Sequence, residues 1–395
     1  MRTFQRRYFS TTEIASLKYG ILSAMKIDNP FPVFGYFGPT YFCDRREEAK
    51  KLREALTNGR NVTLVAPRRL GKTGLIHHVL HELEVNRLAK GVYLDIFAVK
   101  TLPEFVQAFA RAVFSALETR LERATRAAGQ FLGACRPSVS IDSVTGSPTL
   151  SFTVEGGSAE RTLEDVFAYL KTRKELVVIA LDEFQQVAEF PEKGTEALLR
   201  SYIQFLPNVR FVFAGSKAHM MSEMFMTANR PFYKSTQNFS ISPIDERIYW
   251  KFAAQFFKKD GRMLSEAAFS FAYRLVDGVT WEMQSILNRL WTREIDGDGL
   301  DAVRSVVADI LDENGDEYAG LMASLTVNEA KVLREVARRR RVKSPMGIDF
   351  ASAVGLSPSS VKLAVENLSA RQHLYRETDG LLVYDRFLGL WLARG

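Results

Sequence analysis

Residues 66–74 read Ala66-Pro67-Arg68-Arg69-Leu70-Gly71-Lys72-Thr73-Gly74, and their types and spacing suit one task, the binding of a phosphate chain. Such a loop turns backbone N–H groups inward at phosphate oxygens, and the helix that starts behind it adds the positive end of its dipole. Gly71 lets the backbone come close, Lys72 neutralises the β and γ oxygens, and the Thr73 hydroxyl can ligate Mg²⁺. Ala66 stands where the first glycine of the loop is usual. A second constellation, Asp182-Glu183, ends the apolar run LVVIAL. A carboxylate here organises Mg²⁺ through water, and its neighbour activates the attacking water. Gly215-Ser216 ends a further apolar run, VRFVFA, so a polar side chain could stand between the acidic pair and the γ-phosphate.

These residues need elements to position them. The run at 62–65 reads as a buried strand leading into the loop, and an apolar-periodic helix follows from Gly71. Further strands are expected at 91–97, 176–181, 209–214 and 238–241, with a helix at 45–56 before the first strand and helices at 102 to about 127 and 162–171 between strands. Alternation of strand and helix argues a mostly parallel sheet, whose carboxyl edge is where ligands bind. Residues 137–154 switch to period-two alternation around Gly146–Pro148, a hairpin signal between helices.

From Ser242 the pattern becomes helical, at about 244–259, 264–276, 280–293 and 298–313, with loop-like breaks at 296–299 and 313–316. Tyr249, Trp250, Phe252, Phe256 and Phe257 sit at core spacing there and read as packing. The last seventy or so residues open with a helix at 326–341, capped by Thr326 with Glu329 three residues on. A short helix at 348–354, a turn at 355–358, a helix at 359–372 and a hairpin around Asp379-Gly380 complete a winged-helix order. The expected division is a tail and lead-in segment at 1–37, a phosphate-loop core at 38–241, a helical lid at 242–320 and a winged helix at 321–395.

Composition bounds the class. With 395 residues, 46% hydrophobic and 25% charged, the chain can bury two or three cores. A formal charge of +7 permits an acidic partner without choosing one. Only Cys43 and Cys135 are present, which excludes a disulfide framework and suits a reducing cytoplasm. No apolar stretch approaches a membrane span, so no membrane partner is expected. Residues 1–24 are basic and poor in acids; the reading adopted is an ordinary tail or a start at Met25, not a transit peptide.

Together these residues resemble the STAND-type ATPases, in the archaeal-type branch of the AAA+ superfamily. The resemblance rests on Phe42-x-x-Arg45-x-x-Glu48, APRRLGKTGL, VVIALDEFQQV, VFAGS, GVTWEMQ and the closing YDRFLGLWL, and covers about 25–395. It implies an α/β P-loop fold with a helical lid and a C-terminal winged helix, binding ATP or ADP with Mg²⁺. Nucleotide contacts would come from Ala66 to Gly74 and Arg45, metal contacts from Thr73 and Asp182, and catalysis from Lys72, Glu183 as general base and Ser216 as sensor. Relatives often carry an arginine near PFYKST, where this chain has Lys234, Ser235 and Thr236. Arg230 and Arg289 are the candidates left for a transition-state arginine, and hydrolysis is expected to be slow, since that group is worth about 10³ to 10⁵ in rate.

Two clusters carry less. His77 and His81 share a helix face as a metal pair would, but no third ligand is evident, so packing is the expectation. Arg338–Arg341 with Lys343 is the densest basic run. It reads as phosphate-backbone contact, or as a solvated or docked helix end, and the mixed outward face of the helix at 359–372 tempers the first. The functional expectation is a slow, nucleotide-controlled switch with the winged helix as output, engaging a protein or DNA. The alternatives are an ATP-tuned DNA-binding regulator and a nucleotide-binding scaffold; oligomeric state is left open.

Overall fold

The computed structural model describes residues 27–118, 136–141, 148–153, 159–293, 299–377 and 379–394. The basic stretch 1–24, Met25, Cys135 and the far end of the helix expected to reach 127 lie outside these residues. The chain forms two compact units, one of Phe34–Ser242 and one of Asp28–Val33 with Pro243 onward.

In the first unit, α1 (Arg46–Thr57) buries Ala49, Leu52, Ala55 and Leu56, an i, i+3, i+4 stripe, and carries Glu47 and Glu48 at its positive end. Then follow β1 (Val62–Val65), α2 (Lys72–Val85), β2 (Lys90–Asp95) and α3 (Leu102–Leu117). The Thr101 hydroxyl caps α3, and Phe105, Phe109, Val113 and Leu117 face the core as their spacing predicts. Strands β3 (Arg136–Ile141) and β4 (Pro148–Thr153) pair antiparallel as expected, and the turn expected from Gly146 lies outside the described residues up to Pro148. The rest is α4 (Ala159–Thr172), β5 (Val177–Asp182), α5 (Thr195–Ile203), β6 (Val209–Gly215), α6 (Ala218–Met226) and β7 (Gln237–Ser240).

The sheet is five-stranded and parallel, in the order β2-β5-β6-β1-β7. Every residue of β5 is buried, which explains its unbroken apolar run. The order matters for the site. Because β6 lies between β1 and β5, its end emerges between the loop after β1 and the acidic pair after β5.

The second unit begins with α7 (Glu246–Lys259), α8 (Glu266–Leu275), α9 (Thr280–Trp291) and α10 (Leu300–Glu313). Tyr249, Phe256 and Phe257 are buried, and the Phe31 ring packs against Phe256, Phe257 and Trp291 with centroids 5.6–5.9 Å away. The break near 313–316 is a single residue, Asn314. A further helix, α11 (Gly315–Ala323), starts at once and buries Tyr318 and Met322, so the expected boundary at 320 falls within it.

The winged helix comprises α12 (Val327–Arg339), α13 (Ile348–Val354), α14 (Pro358–Ala370), β8 (Leu374–Glu377) and β9 (Gly380–Val383). Its capping box is formed: the Thr326 N–H donates to Glu329 Oε2 at 2.9 Å, and the Glu329 N–H to Thr326 Oγ1 at 3.3 Å. The aromatic closing segment adds α15 (Arg386–Arg394) beyond the expected order.

The four arginines of the basic run meet acceptors within this unit. Arg338 and Arg339 pair with Glu335 at 2.7 and 2.5 Å, and Arg339 also with Asp349. Arg340 donates to the carbonyls of Arg274 and Leu275 at 2.6 and 3.0 Å, at the negative end of α8. Arg341 pairs with Glu377 and Asp379.

Candidate nucleotide site

The loop after β1 is held on several sides. The Ala66 N–H donates to the Gly215 carbonyl at 3.2 Å, continuing the β1–β6 ladder into the loop. Pro67 follows, and the Arg68 guanidinium lies over the Phe97 ring, 4.9 Å from its centroid. Arg69 and Gly71 are both left-handed, with φ of 70° and 86°. That conformation suits glycine at 71, where the turn passes into α2. Leu70 is buried, and Gly74 lies in the first turn of α2 beside the Phe42 ring.

Arg45 is 2% exposed. It donates to the carbonyls of Leu70 at 2.6 Å and Ser242 at 2.9 Å and pairs with Glu48 at 3.2 Å. Those contacts fix the loop's backbone to α1 and to the chain after β7, a positioning task that differs from the expected nucleotide contact.

Behind the loop, five side chains converge. The Lys72 ammonium lies 2.8 Å from Asp182 Oδ1 and 3.0 Å from Glu183 Oε1. The Thr73 hydroxyl donates to Asp182 Oδ2 at 2.7 Å. The Ser216 hydroxyl donates to Glu183 Oε2 at 2.6 Å, as the sheet order allows. Lys72, Thr73, Asp182, Glu183 and Ser216 were each singled out by residue type, and the fold brings them together.

Two further residues join them unforeseen. Gln185 donates to Glu183 Oε2 at 2.5 Å, and the Tyr93 hydroxyl donates to Asp182 Oδ2 at 3.1 Å. Gln185 belongs to the DEFQQ motif, two residues past the acidic pair. Tyr93 carries no local signal beyond lying in a strand.

The electrostatics keep both carboxylates ionised. Burial pushes Asp182 up, but the Lys72 charge and the hydrogen bonds from Lys72, Thr73 and the Glu183 N–H outweigh it and hold the group below the ordinary carboxylate range. Glu183 is likewise raised by burial and lowered further by Lys72, Ser216 and Gln185. Burial brings the His77 imidazole down to about 4 against the opposing pull of Asp182, so it stays neutral near pH 7. Glu183 is left-handed at φ 57°, a conformation that costs a non-glycine residue about 1 kcal/mol or more and tends to persist at functional sites.

The residues fit a hydrated Mg²⁺ beside a phosphate chain. One hydroxyl and one ionised carboxylate make an all-oxygen set, which a small hard cation that keeps most of its waters uses. His78 is engaged away from these oxygens: Tyr36 Oη lies 3.0 Å from His78 Nδ1, and the His78 ring stacks on Phe42 with centroids 4.3 Å apart. Among the described residues no group of three or more His, Cys, Asp or Glu could hold a metal ion. Arg230 pairs with Glu196 at 2.5 Å and Glu223 at 3.4 Å, and Arg289 with Glu313 at 2.7 Å. Both expected arginine candidates are thus engaged by carboxylates.

Gly215 shows how tightly the second carboxylate is framed. A methyl at this position would stand 2.4 Å from Gln185 Oε1 and 2.5 Å from Met221 Sδ. Gly215→Ala is expected to destabilise the protein by about 1–3 kcal/mol through overpacking. Displacement of Gln185 should also lower turnover more than nucleotide affinity; thermal unfolding and paired binding and turnover assays check both.

Residues 42–286 match the family model described as "ATPase domain predominantly from Archaea", and residues 316–394 match "Probable winged helix domain". No curated protein sequence matches the chain. Among solved structures, a Walker-type ATPase of Pyrococcus abyssi, PABY2304, is similar with a TM-score of 0.63 at 19% identity, over 92% of this chain and 99% of that one. The ORC2 protein of Aeropyrum pernix in its ADP form gives 0.53 at 14% identity, over 92% and 97%. At these identities the likeness is one of fold.

Proposed function

From the premise that the chain belongs to the family of ATPase domains found predominantly in Archaea, we propose that it is a slow, Mg²⁺-dependent ATPase of the STAND type, working as a nucleotide-controlled switch whose output is the winged helix. One observation carries the reading. Lys72, Thr73, Asp182, Glu183 and Ser216 form a single hydrogen-bonded cluster at the carboxyl edge of the sheet, behind the loop at 66–71.

Each residue then has a task. Backbone N–H groups of the loop, held by Arg45 through the Leu70 carbonyl, cradle the phosphates. Lys72 leaves its two carboxylates for β and γ oxygens. When bound, Mg²⁺ would supply positive charge to offset the negative charge that develops in phosphoryl transfer. Thr73 and Asp182 would hold it. Glu183, released by Lys72 and still oriented by Ser216 and Gln185, aligns water for attack on the γ-phosphorus and accepts its proton, as the bond from that phosphorus to the β–γ bridging oxygen breaks and ADP leaves. With Arg230 and Arg289 engaged elsewhere, turnover is slow or partner-stimulated.

For the output, a protein partner is the reading we take. The arginines at 338–341 are committed to internal acceptors, the outward face of α14 carries Lys362 and Glu366 3.8 Å apart, and Leu363 on that face is 60% exposed. The winged helix is also tied to the lid. Arg386, 9% exposed, lies 2.9 Å from Asp277 and 3.6 Å from Glu377, while Arg340 caps α8 and lies 3.8 Å from Asp277. A switch needs such contacts to differ in free energy between nucleotide states.

Asp277→Ala leaves the Arg386 guanidinium short of its nearest carboxylate and is expected to cost about 1–3 kcal/mol. Hydrogen exchange of the full chain in ATP and in ADP, with and without this substitution, tests the switch. Protection around 274–277 and 383–386 should depend on nucleotide in the wild type and fall in the variant. Identical protection in both nucleotides would remove the switch, and salt-dependent duplex DNA affinity lost in Arg339→Ala would replace the protein partner with DNA.

A further inference from the structure

We propose that Tyr93 is a positioning residue for the divalent cation: its hydroxyl, braced by the His77 ring, fixes the orientation of Asp182. The inference rests on the nucleotide-site reading above and deepens it.

Register places Tyr93 there. Strands β2 and β5 run parallel with Tyr93 beside Ala180 and Asp95 beside Asp182, so Tyr93 and Asp182, each on the same alternate set, share one face of the sheet. Helix α2 covers that face with two residues one turn apart, Thr73 and His77. Thr73 reaches Asp182 Oδ2 at 2.7 Å, and the His77 ring lies against the Tyr93 ring with centroids 4.3 Å apart. The helix that follows the loop therefore touches the carboxylate directly through one residue and through Tyr93 by the next.

The hydrogen-bond inventory of Asp182 shows what Tyr93 adds. Oδ1 faces the Lys72 ammonium at 2.8 Å and the Glu183 N–H at 3.0 Å; Oδ2 receives Thr73 and, at 3.1 Å, Tyr93. Of these four donors, Lys72 is the one that must leave for the phosphates. Thr73 is the one that must also offer its oxygen to a cation. Tyr93, whose hydroxyl also meets Thr73, and the Glu183 N–H are needed by neither the phosphates nor the cation, so they retain the carboxylate's angle when the rest of the cluster rearranges. Partners of this kind, which orient a ligand without touching the metal, typically affect metal affinity by about 10- to 100-fold. The arrangement also gives His77 a task other than metal binding, as the wall that stops the Tyr93 ring from turning away.

The test is equilibrium titration of the full chain with a fluorescent ATP analogue, once with Mg²⁺ and once with EDTA, in wild type, Tyr93→Phe and Lys72→Ala. Phenylalanine keeps the ring and its contact with His77, so the variant should fold, and thermal unfolding checks that it does. The expected result is that Tyr93→Phe reduces the Mg²⁺-dependent gain in affinity about tenfold and leaves metal-free affinity unchanged. An equal loss with and without Mg²⁺ would make Tyr93 merely structural and overturn the proposal, as would an unaltered gain. Failure of the underlying reading looks different: the wild type itself would show no gain from Mg²⁺, or Lys72→Ala would bind as the wild type does.

Discussion

Replacing Glu183 by Gln is expected to lower ATP turnover by about 10²- to 10⁴-fold, the usual worth of a positioned general base, while nucleotide affinity is retained. The substitution keeps the shape of a side chain whose two oxygens accept from Lys72, Ser216 and Gln185. It removes the lone pair that takes the proton from water. The wild-type pH profile should carry the same signature. Because the folded-state pKa of Glu183 is depressed, the carboxylate is ionised throughout the neutral range, and kcat/KM loses activity from this group only as pH falls below the ordinary carboxylate range. Steady-state kinetics of the two proteins between pH 4 and pH 8 check both points. A variant with unchanged kcat would assign the base elsewhere.

The second large effect is that of Lys72→Ala. Nucleotide affinity should fall by about two orders of magnitude, the worth of roughly 3 kcal/mol for a charge-assisted contact to phosphate. The protein without nucleotide should change as well. Lys72 is 6% exposed and is the cation between two carboxylates that are themselves largely buried. Without it, Asp182 and Glu183 face one another with hydroxyl and amide donors alone. A loss of about 2 kcal/mol is expected, less than the 3–5 kcal/mol for a fully buried broken pair because water can reach Glu183. The sign with pH follows from the depressed pKa values of both acids. Their stabilisation is present above the unfolded-state pKa and is lost as pH falls through the folded one. The variant should therefore lie furthest below the wild type at neutral pH, and the two should converge in acid. Thermal unfolding across that range measures the convergence.

Much of this site was legible in the chain because its chemistry is local. The loop residues 66–74 impose their own turn and helix start, and LVVIAL ending in Asp182-Glu183, following such a loop, reads as a buried strand delivering two carboxylates to a sheet edge. Ser216 was legible for the same reason, once β6 lies between β1 and β5. What escaped was decided by pairing across the sheet. Tyr93 reaches Asp182 because β2 neighbours β5 in a particular register, and nothing within residues 90–95 announces that neighbour. Gln185 turns back on Glu183, whose backbone is left-handed, a conformation that residue type alone does not announce. Arg45, placed in a motif that suggests nucleotide contact, is taken by the carbonyls of Leu70 and Ser242, the latter 197 residues away in sequence. The arginines at 338–341 read as phosphate-backbone contacts or as a solvated or docked helix end, and each finds acceptors on α12 itself, α8, α13 or the hairpin region. Charge runs announce cations, and only the fold says which anions are within reach.

The most direct test of the central claim is Mg²⁺-dependent ATP turnover by the purified full chain, with Lys72→Ala and Glu183→Gln measured beside it. Slow turnover is expected in the wild type and none above background in either variant, with ATP binding kept by Glu183→Gln and weakened about a hundredfold in Lys72→Ala. A wild type that binds ATP yet turns over no faster than the two variants would contradict that claim and leave a nucleotide-binding scaffold in its place.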